Sequence, residues 1–248
     1  MNTFFLDRLN SEPHALAFAG QSTPWPVVLA DQSANPALDE ALHTHAAAAQ
    51  ALLYPVSAEL LATTGRPVDL FGFEPNPARL DAAAAASASV PGIALTQLGA
   101  LLDAAALGYN PAQAKPVAVL GHSQGVLAVH MVQAICEAGS IDAAAAKIDE
   151  ILAIATLIGV AGTRQARQLG LAARHGEATP MLSVKDITRA QVDALIERVD
   201  GARGPIAVAV TNSATHYVLS GYPEDLAAFG VDCLLYTSPS PRDVEESR

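Results

Sequence analysis

Over residues 15–160 of this chain, long helix-spaced apolar stretches alternate with short, unbroken apolar runs. Residues 15–19 read as a short buried strand, left by the loop Gly20-Gln21-Ser22-Thr23-Pro24-Trp25-Pro26. Residues 35–61 form an alanine-rich helical stretch interrupted at Pro55, and residues 65–77 a loop rich in Pro and Gly. Ser89-Val90-Pro91-Gly92 then leads into a helix through Leu95, Leu98, Leu101 and Leu102. Val117-Ala118-Val119-Leu120 is a second buried strand. After it, residues 124–137 read as a helix, with Val126, Leu127, Val129, Met131, Ala134 and Ile135 at helical spacing and Gly139 where a C-terminal cap belongs. Residues 141–160 are helical and apolar enough to be largely buried. This alternation predicts a mainly parallel sheet flanked by helices.

Past a polar, basic connection over residues 162–176 the texture changes. Met181-Leu182-Ser183-Val184 reads as a strand, and residues 188–199 as an amphipathic helix with Val192, Leu195, Ile196 and Val199 on one face. Residues 206–210 and 217–220 form a hairpin across residues 212–215, and Pro223-Glu224-Asp225-Leu226 opens another helix. The order β-α-β-β-α is most of a ferredoxin-like unit. The expected organisation is therefore a large subdomain over residues 1–178, an incomplete small subdomain over 179–232, and a tail over 233–248.

Composition narrows the class. The 248 residues are 51% hydrophobic, enough for one large α/β domain with a smaller companion. A formal net charge of -11 argues against nucleic-acid binding and against an anionic membrane surface. Apolar runs are broken by charge or turn residues before membrane-spanning length, and no signal-peptide pattern opens the chain, so a cytoplasmic protein is expected. Cys136 and Cys233 suggest neither a disulfide framework nor a thiolate metal site, and His43 and His45 diverge around a helix.

The chemistry concentrates at Gly121-His122-Ser123-Gln124-Gly125. Gly-x-Ser-x-Gly after a buried strand and before a helix is the pattern of a nucleophile elbow, which lifts the serine hydroxyl above a sheet. A Cβ at Gly121 or Gly125 would collide with neighbouring backbone as the chain reverses. The same five residues also fit an ordinary turn whose serine caps the following helix.

In its motifs the chain resembles the acyltransferase domains that load acyl groups from coenzyme A onto acyl carrier protein. It is most similar to the acetyl-loading domain of type I fatty acid synthases of the bacterial and fungal kind. The matching segments are Phe18-Ala19-Gly20-Gln21, Ser89-Val90-Pro91-Gly92-Ile93, the elbow, Leu157-Ile158-Gly159-Val160, Thr179-Pro180-Met181-Leu182-Ser183-Val184, Val210-Thr211-Asn212-Ser213 and Leu219-Ser220-Gly221. The resemblance implies an α/β-hydrolase-like large subdomain with the ferredoxin-like unit inserted.

The resemblance also implies a mechanism. Ser123 would take an acyl group from acetyl-CoA and pass it to the phosphopantetheine thiol of an acyl carrier protein, among other fatty acid synthase domains. The backbone amides of Gln124 and Gln21 would form the oxyanion hole, with Ser22 standing where the family pattern has a second glycine. No bound cofactor or metal is implied. Malonyl-selecting relatives place an arginine where Ile158 stands here. A buried isoleucine would leave a malonyl carboxylate desolvated, at a cost on the order of several kcal/mol, so acetyl is the expected substrate.

The family's histidine base follows the small subdomain, and none of the seven histidines fits that place. His14, His43, His45, His130 and His175 fall in other segments, His122 belongs to the elbow, and His216 sits in a hairpin where it is expected to be exposed. From Cys233 onward the sequence stops resembling the family and its Ser-Pro-rich, charged composition predicts a disordered tail, so a natural chain running past Asp232 is expected. Two other readings stay open: an α/β-hydrolase-type esterase sharing the elbow, and an inactive fragment that docks acyl-CoA or carrier protein.

Overall fold

The computed structural model describes residues 8–20, 25–52, 82–168, 181–199 and 204–237. The chain divides into two compact units, Met1–Gln168 and Leu169–Arg248.

In the first unit, strand β1 (Ala15–Phe18) is followed by α1 (Trp25–Gln32), α2 (Pro36–Leu52), α3 (Ala82–Ala106) and the single turn α4 (Pro111–Ala114). Strand β2 (Ala118–Gly121), a 3-10 turn (Ser123–Gly125), α5 (Val126–Ala138) and α6 (Ala145–Gln168) complete it. β1 and β2 pair in parallel, with Phe18 opposite Gly121. The pairing extends at both ends, Val117 N–H donating to His14 O at 2.9 Å and His122 N–H to Phe18 O at 3.0 Å.

Both strands were expected to be buried, and they are covered on one face only. Leu16, Phe18 and Val119 pack on the core, whereas Leu120 is 60% exposed. Strand geometry sends successive side chains to opposite faces, and the helical core lies against one of them.

That core gathers Leu42 of α2, Ile93, Leu95 and Leu98 of α3, Met131 and Ile135 of α5, and Ile148 and Leu152 of α6. α3 is the central helix. Its segment Ala88–Ala106 is long and apolar enough to cross a membrane by length and composition, and that character is accounted for by burial of its side chains in this core. The helix begins at Ala82, earlier than Ser89-Val90-Pro91-Gly92 suggested, and holds Pro91 within it. The alanine run ahead of Pro91 has the highest helix propensity of any residue type, which offsets the one backbone donor that proline lacks.

Other boundaries follow from caps. Asn110 accepts from Ala112 N–H to start α4, and Gly139, at φ 90°, ends α5 with its N–H on Ile135 O at 2.8 Å. The expected helix over residues 35–61 is present as α2 to Leu52, and its remainder lies outside the described residues.

The second unit contains β3 (Met181–Lys185), α7 (Arg189–Arg198), β4 (Ala207–Ser213), β5 (His216–Ser220) and α8 (Pro223–Thr237). The strands form an antiparallel sheet in the order β3-β5-β4, with Ser183 opposite Val218. Thr188 and Gln191 make a reciprocal capping box at the start of α7. Val184, Val192, Leu195, Tyr217, Leu219 and Phe229 form this unit's own core. The tail expected to be disordered from Cys233 is instead helical as far as Thr237, continuing the helix opened by Pro223, Glu224 and Asp225. Acidic residues in the first turn favour that helix through its dipole.

Candidate active site

β2 ends at Gly121, and the chain reverses through His122 and Ser123 into α5. His122 is still extended, at φ -99° and ψ 129°. Ser123 lies at φ 53°, in the left-handed region that costs a residue with a Cβ about 1–2 kcal/mol. Backbone bonds close the turn, from Gly125 N–H to His122 O at 2.9 Å and from Val126 N–H to Ser123 O. The N-cap of α5 is Gly125, with no side-chain hydrogen bond, so the capping-serine reading does not hold and the Ser123 hydroxyl caps nothing. The Ser123 side chain is exposed at the head of the helix.

The tight turn depends on the absence of side chains around it. A Cβ on Gly121 would lie 2.6 Å from Gly125 C and from Val126 N, and one on Gly125 would run into Phe18 O. A Cβ on Gly20 would stand 2.8 Å from Ser123 Cβ, 2.7 Å from His122 O and 3.3 Å from Gln124 N. The chain leaving β1 is thus pressed against the serine and against the amide nitrogen that follows it. Gln124 is half-buried. Gln21, the other expected oxyanion donor, lies outside the described residues, and its neighbour Gly20 is the residue against the elbow.

One residue of this neighbourhood is absent from the sequence-based set. Gln97, on the core face of α3 and 8% exposed, donates from Nε2 to Ala19 O at 2.6 Å. Its Oε1 is buried and without a hydrogen bond. The sequence signal was an amide beside Leu95, Leu98 and Leu101 on a mostly apolar helix.

Ile158 departs from expectation. It is 50% exposed, with Ile154 and Leu157 at 51% and 42%. α6 is apolar around much of its circumference. The stripe through Leu152, Thr156, Val160 and Thr163 is buried, leaving Ile158 on the other side. The desolvation argument built on a buried Ile158 therefore loses its premise.

Among the described residues, four histidines have side-chain partners. His14 Nε2 lies 2.8 Å from Tyr109 Oη, and His45 Nδ1 lies 2.6 Å from Asp149 Oδ1. His43 is on Asp39, and His130 is exposed on α5. His216, expected to be exposed, is half-buried, with Nε2 2.9 Å from Ser183 Oγ and 3.4 Å from Asn212 Nδ2. His175 lies outside the described residues. No group of three or more His, Cys, Asp or Glu among the described residues is placed to hold a metal. Cys136 is exposed, and partial desolvation and then the Glu137 carboxylate push its thiol above the usual range.

A strained serine between strand and helix, on a helix-flanked parallel pair, is the arrangement of α/β acyl-transfer enzymes. A crystal structure of acyl-carrier-protein S-malonyltransferase from Bartonella henselae is similar in fold, with a TM-score of 0.50 and 18% sequence identity. The match covers 92% of this chain and 61% of the malonyltransferase, so this chain spans less than two thirds of that protein's length. The family model described as "Starter unit:ACP transacylase in aflatoxin biosynthesis" matches residues 28–245. The chain belongs to this starter unit:ACP transacylase family. The matched span runs past Asp232, where the sequence reading had the resemblance stop.

Proposed function

We propose that this chain moves a short acyl group, acetyl first, from coenzyme A to the phosphopantetheine thiol of an acyl carrier protein through an ester on Ser123. The observation that carries the proposal is Ser123 held at φ 53° with Gly20 against its Cβ and against Gln124 N. Lys115 and Asp186 share that backbone region, and at Ser123 it is the pairing of strain with a hydroxyl at the head of a helix that points to chemistry.

In the first half-reaction Ser123 Oγ attacks the thioester carbonyl. The Oγ–C bond forms, the C–S bond breaks, and the serine proton ends on the coenzyme A thiol. Amide donors at Gln124 and Gln21 would face the carbonyl oxygen as it gains charge. The carrier thiol then attacks the acyl-serine, the C–Oγ bond breaks, and the serine recovers a proton. No cofactor is required for either half.

Acetyl is placed ahead of malonyl in this reading on the motif resemblance alone, in which Ile158 takes the position of the malonyl-pairing arginine. We place the chain in the cytoplasm, in a bacterial type I fatty acid synthase, with residues 1–178 as an α/β-hydrolase-like subdomain and residues 179–232 as a ferredoxin-like one.

The test is to incubate the protein with acetyl-CoA and with malonyl-CoA, then with holo carrier protein, and to follow both proteins by intact mass. One acetyl group on Ser123 that disappears as acetyl-carrier protein forms supports the proposal. Hydrolysis of simple esters with no acyl-carrier product supports the esterase reading, and binding without acylation the docking fragment.

A further inference from the structure

We infer that Gln97 is a positioning residue for the acyl-serine site, acting on it through the carbonyl of Ala19. This rests on the reading of Ser123 given above, and it concerns a helix that carries none of the reacting groups.

One hydrogen bond and two close backbone approaches connect α3 to the elbow. Gln97 Nε2 donates to Ala19 O at 2.6 Å. That same oxygen is 3.0 Å from where a Cβ on Gly125 would stand. The next residue, Gly20, occupies the space against Ser123 Cβ and Gln124 N. The side chain thus holds a peptide group that borders the elbow, next to the Phe18 carbonyl, and leads toward residue 21.

The chemistry of the side chain supports a specific role. Gln97 is 8% exposed and surrounded by the apolar positions of α3, where a leucine would fill similar space. The amide brings with it a buried Oε1 that has no hydrogen bond. Buried polar atoms are rarely left so, and each one calls for a reason. Among the described residues the amide bonds to Ala19 O, and holding that carbonyl is a function that accounts for its presence.

Position matters to this reaction because the donors must already face the oxyanion when charge develops. A displacement of about 1 Å at a reacting centre can cost about a hundredfold in rate. Releasing Ala19 should therefore slow attack by Ser123 while leaving the serine and its turn in place.

The experiment uses a fluorophosphonate, which reports serine nucleophilicity without coenzyme A or carrier protein. Ser123 Oγ forms a bond to phosphorus, the P–F bond breaks, and fluoride leaves with the serine proton accounted for by solvent. Rates are compared for the wild-type chain, Gln97→Met and Gln97→Glu across a pH series, with thermal melting as the check on folding.

Gln97→Met keeps the volume and loses the donor, and we expect its labelling rate to fall about tenfold or more. Gln97→Glu can donate to Ala19 O only when protonated. Its rate relative to wild type should be low at neutral pH and should recover as pH falls, whereas the Gln97→Met ratio stays flat. Should Gln97→Met fail to fold, the pH-dependent recovery of Gln97→Glu carries the test by itself. Labelling of both variants at the wild-type rate, or a Gln97→Glu ratio that does not move with pH, overturns the inference. Failure of the wild-type chain to label at Ser123 instead removes the reading of the site on which the inference rests.

Discussion

Gly20 and Ser123 lie so close that a methyl group on the first would stand 2.8 Å from Cβ of the second. Real Cβ atoms essentially never approach so near, and the other neighbours are the backbone atoms His122 O and Gln124 N, which cannot swing aside. Gly20→Ala should lower stability by about 1–3 kcal/mol and slow labelling of Ser123. Denaturant unfolding and fluorophosphonate kinetics on the same preparation measure both, and an unchanged variant would show that the two loops are not in contact.

Ser123 separates strain from chemistry. Ser123→Ala and Ser123→Gly both remove the hydroxyl, so neither should take an acyl group from acetyl-CoA. Only glycine relieves the left-handed backbone at φ 53°. We expect Ser123→Gly to be more stable than Ser123→Ala by about 1 kcal/mol, read from urea midpoints at equal slope.

His45 and Asp149 join α2 to α6 through a 2.6 Å contact whose side chains are only 13% and 17% exposed. Shielded pairs are screened less than surface ones. A double-mutant cycle with His45→Ala and Asp149→Ala should give a coupling of about 1 kcal/mol or more that persists in high salt. A coupling that vanishes with added salt would place this pair among ordinary surface contacts.

Cys136 should not compete with Ser123 for acyl groups at neutral pH. Its thiol is raised by desolvation first and by Glu137 second, so the thiolate is scarcer than in an unperturbed cysteine. With Cys233 replaced by serine, iodoacetamide should alkylate the folded chain more slowly than the urea-unfolded chain at neutral pH. The gap should narrow as pH rises through the raised pKa of the folded thiol. An acyl label on Ser123 should also survive neutral hydroxylamine, which cleaves thioesters.

The elbow was legible because five residues fix it: an apolar strand, two glycines and a serine leave the chain one way to turn. The Gly139 cap and the start of the helix at Thr188 were equally local, each resting on one residue's backbone preference or one reciprocal hydrogen bond. What could not be read depended on partners distant in sequence. Pro91 suggested a helix start, although the alanines before it keep the helix going. Ile158 sits in a helix apolar on several sides, and only packing decides which side is covered. Gln97 was invisible for the same reason, since its partner Ala19 lies seventy-eight positions earlier.

The crowding at Gly20 also limits how this protein could be redesigned. Residues 18–20 and 121–125 share so little room that neither segment can accept a graft, an insertion or a random library without the other changing in step. Directed evolution of acyl preference should therefore diversify the two stretches jointly, because variants sampled in one alone will mostly report steric failure.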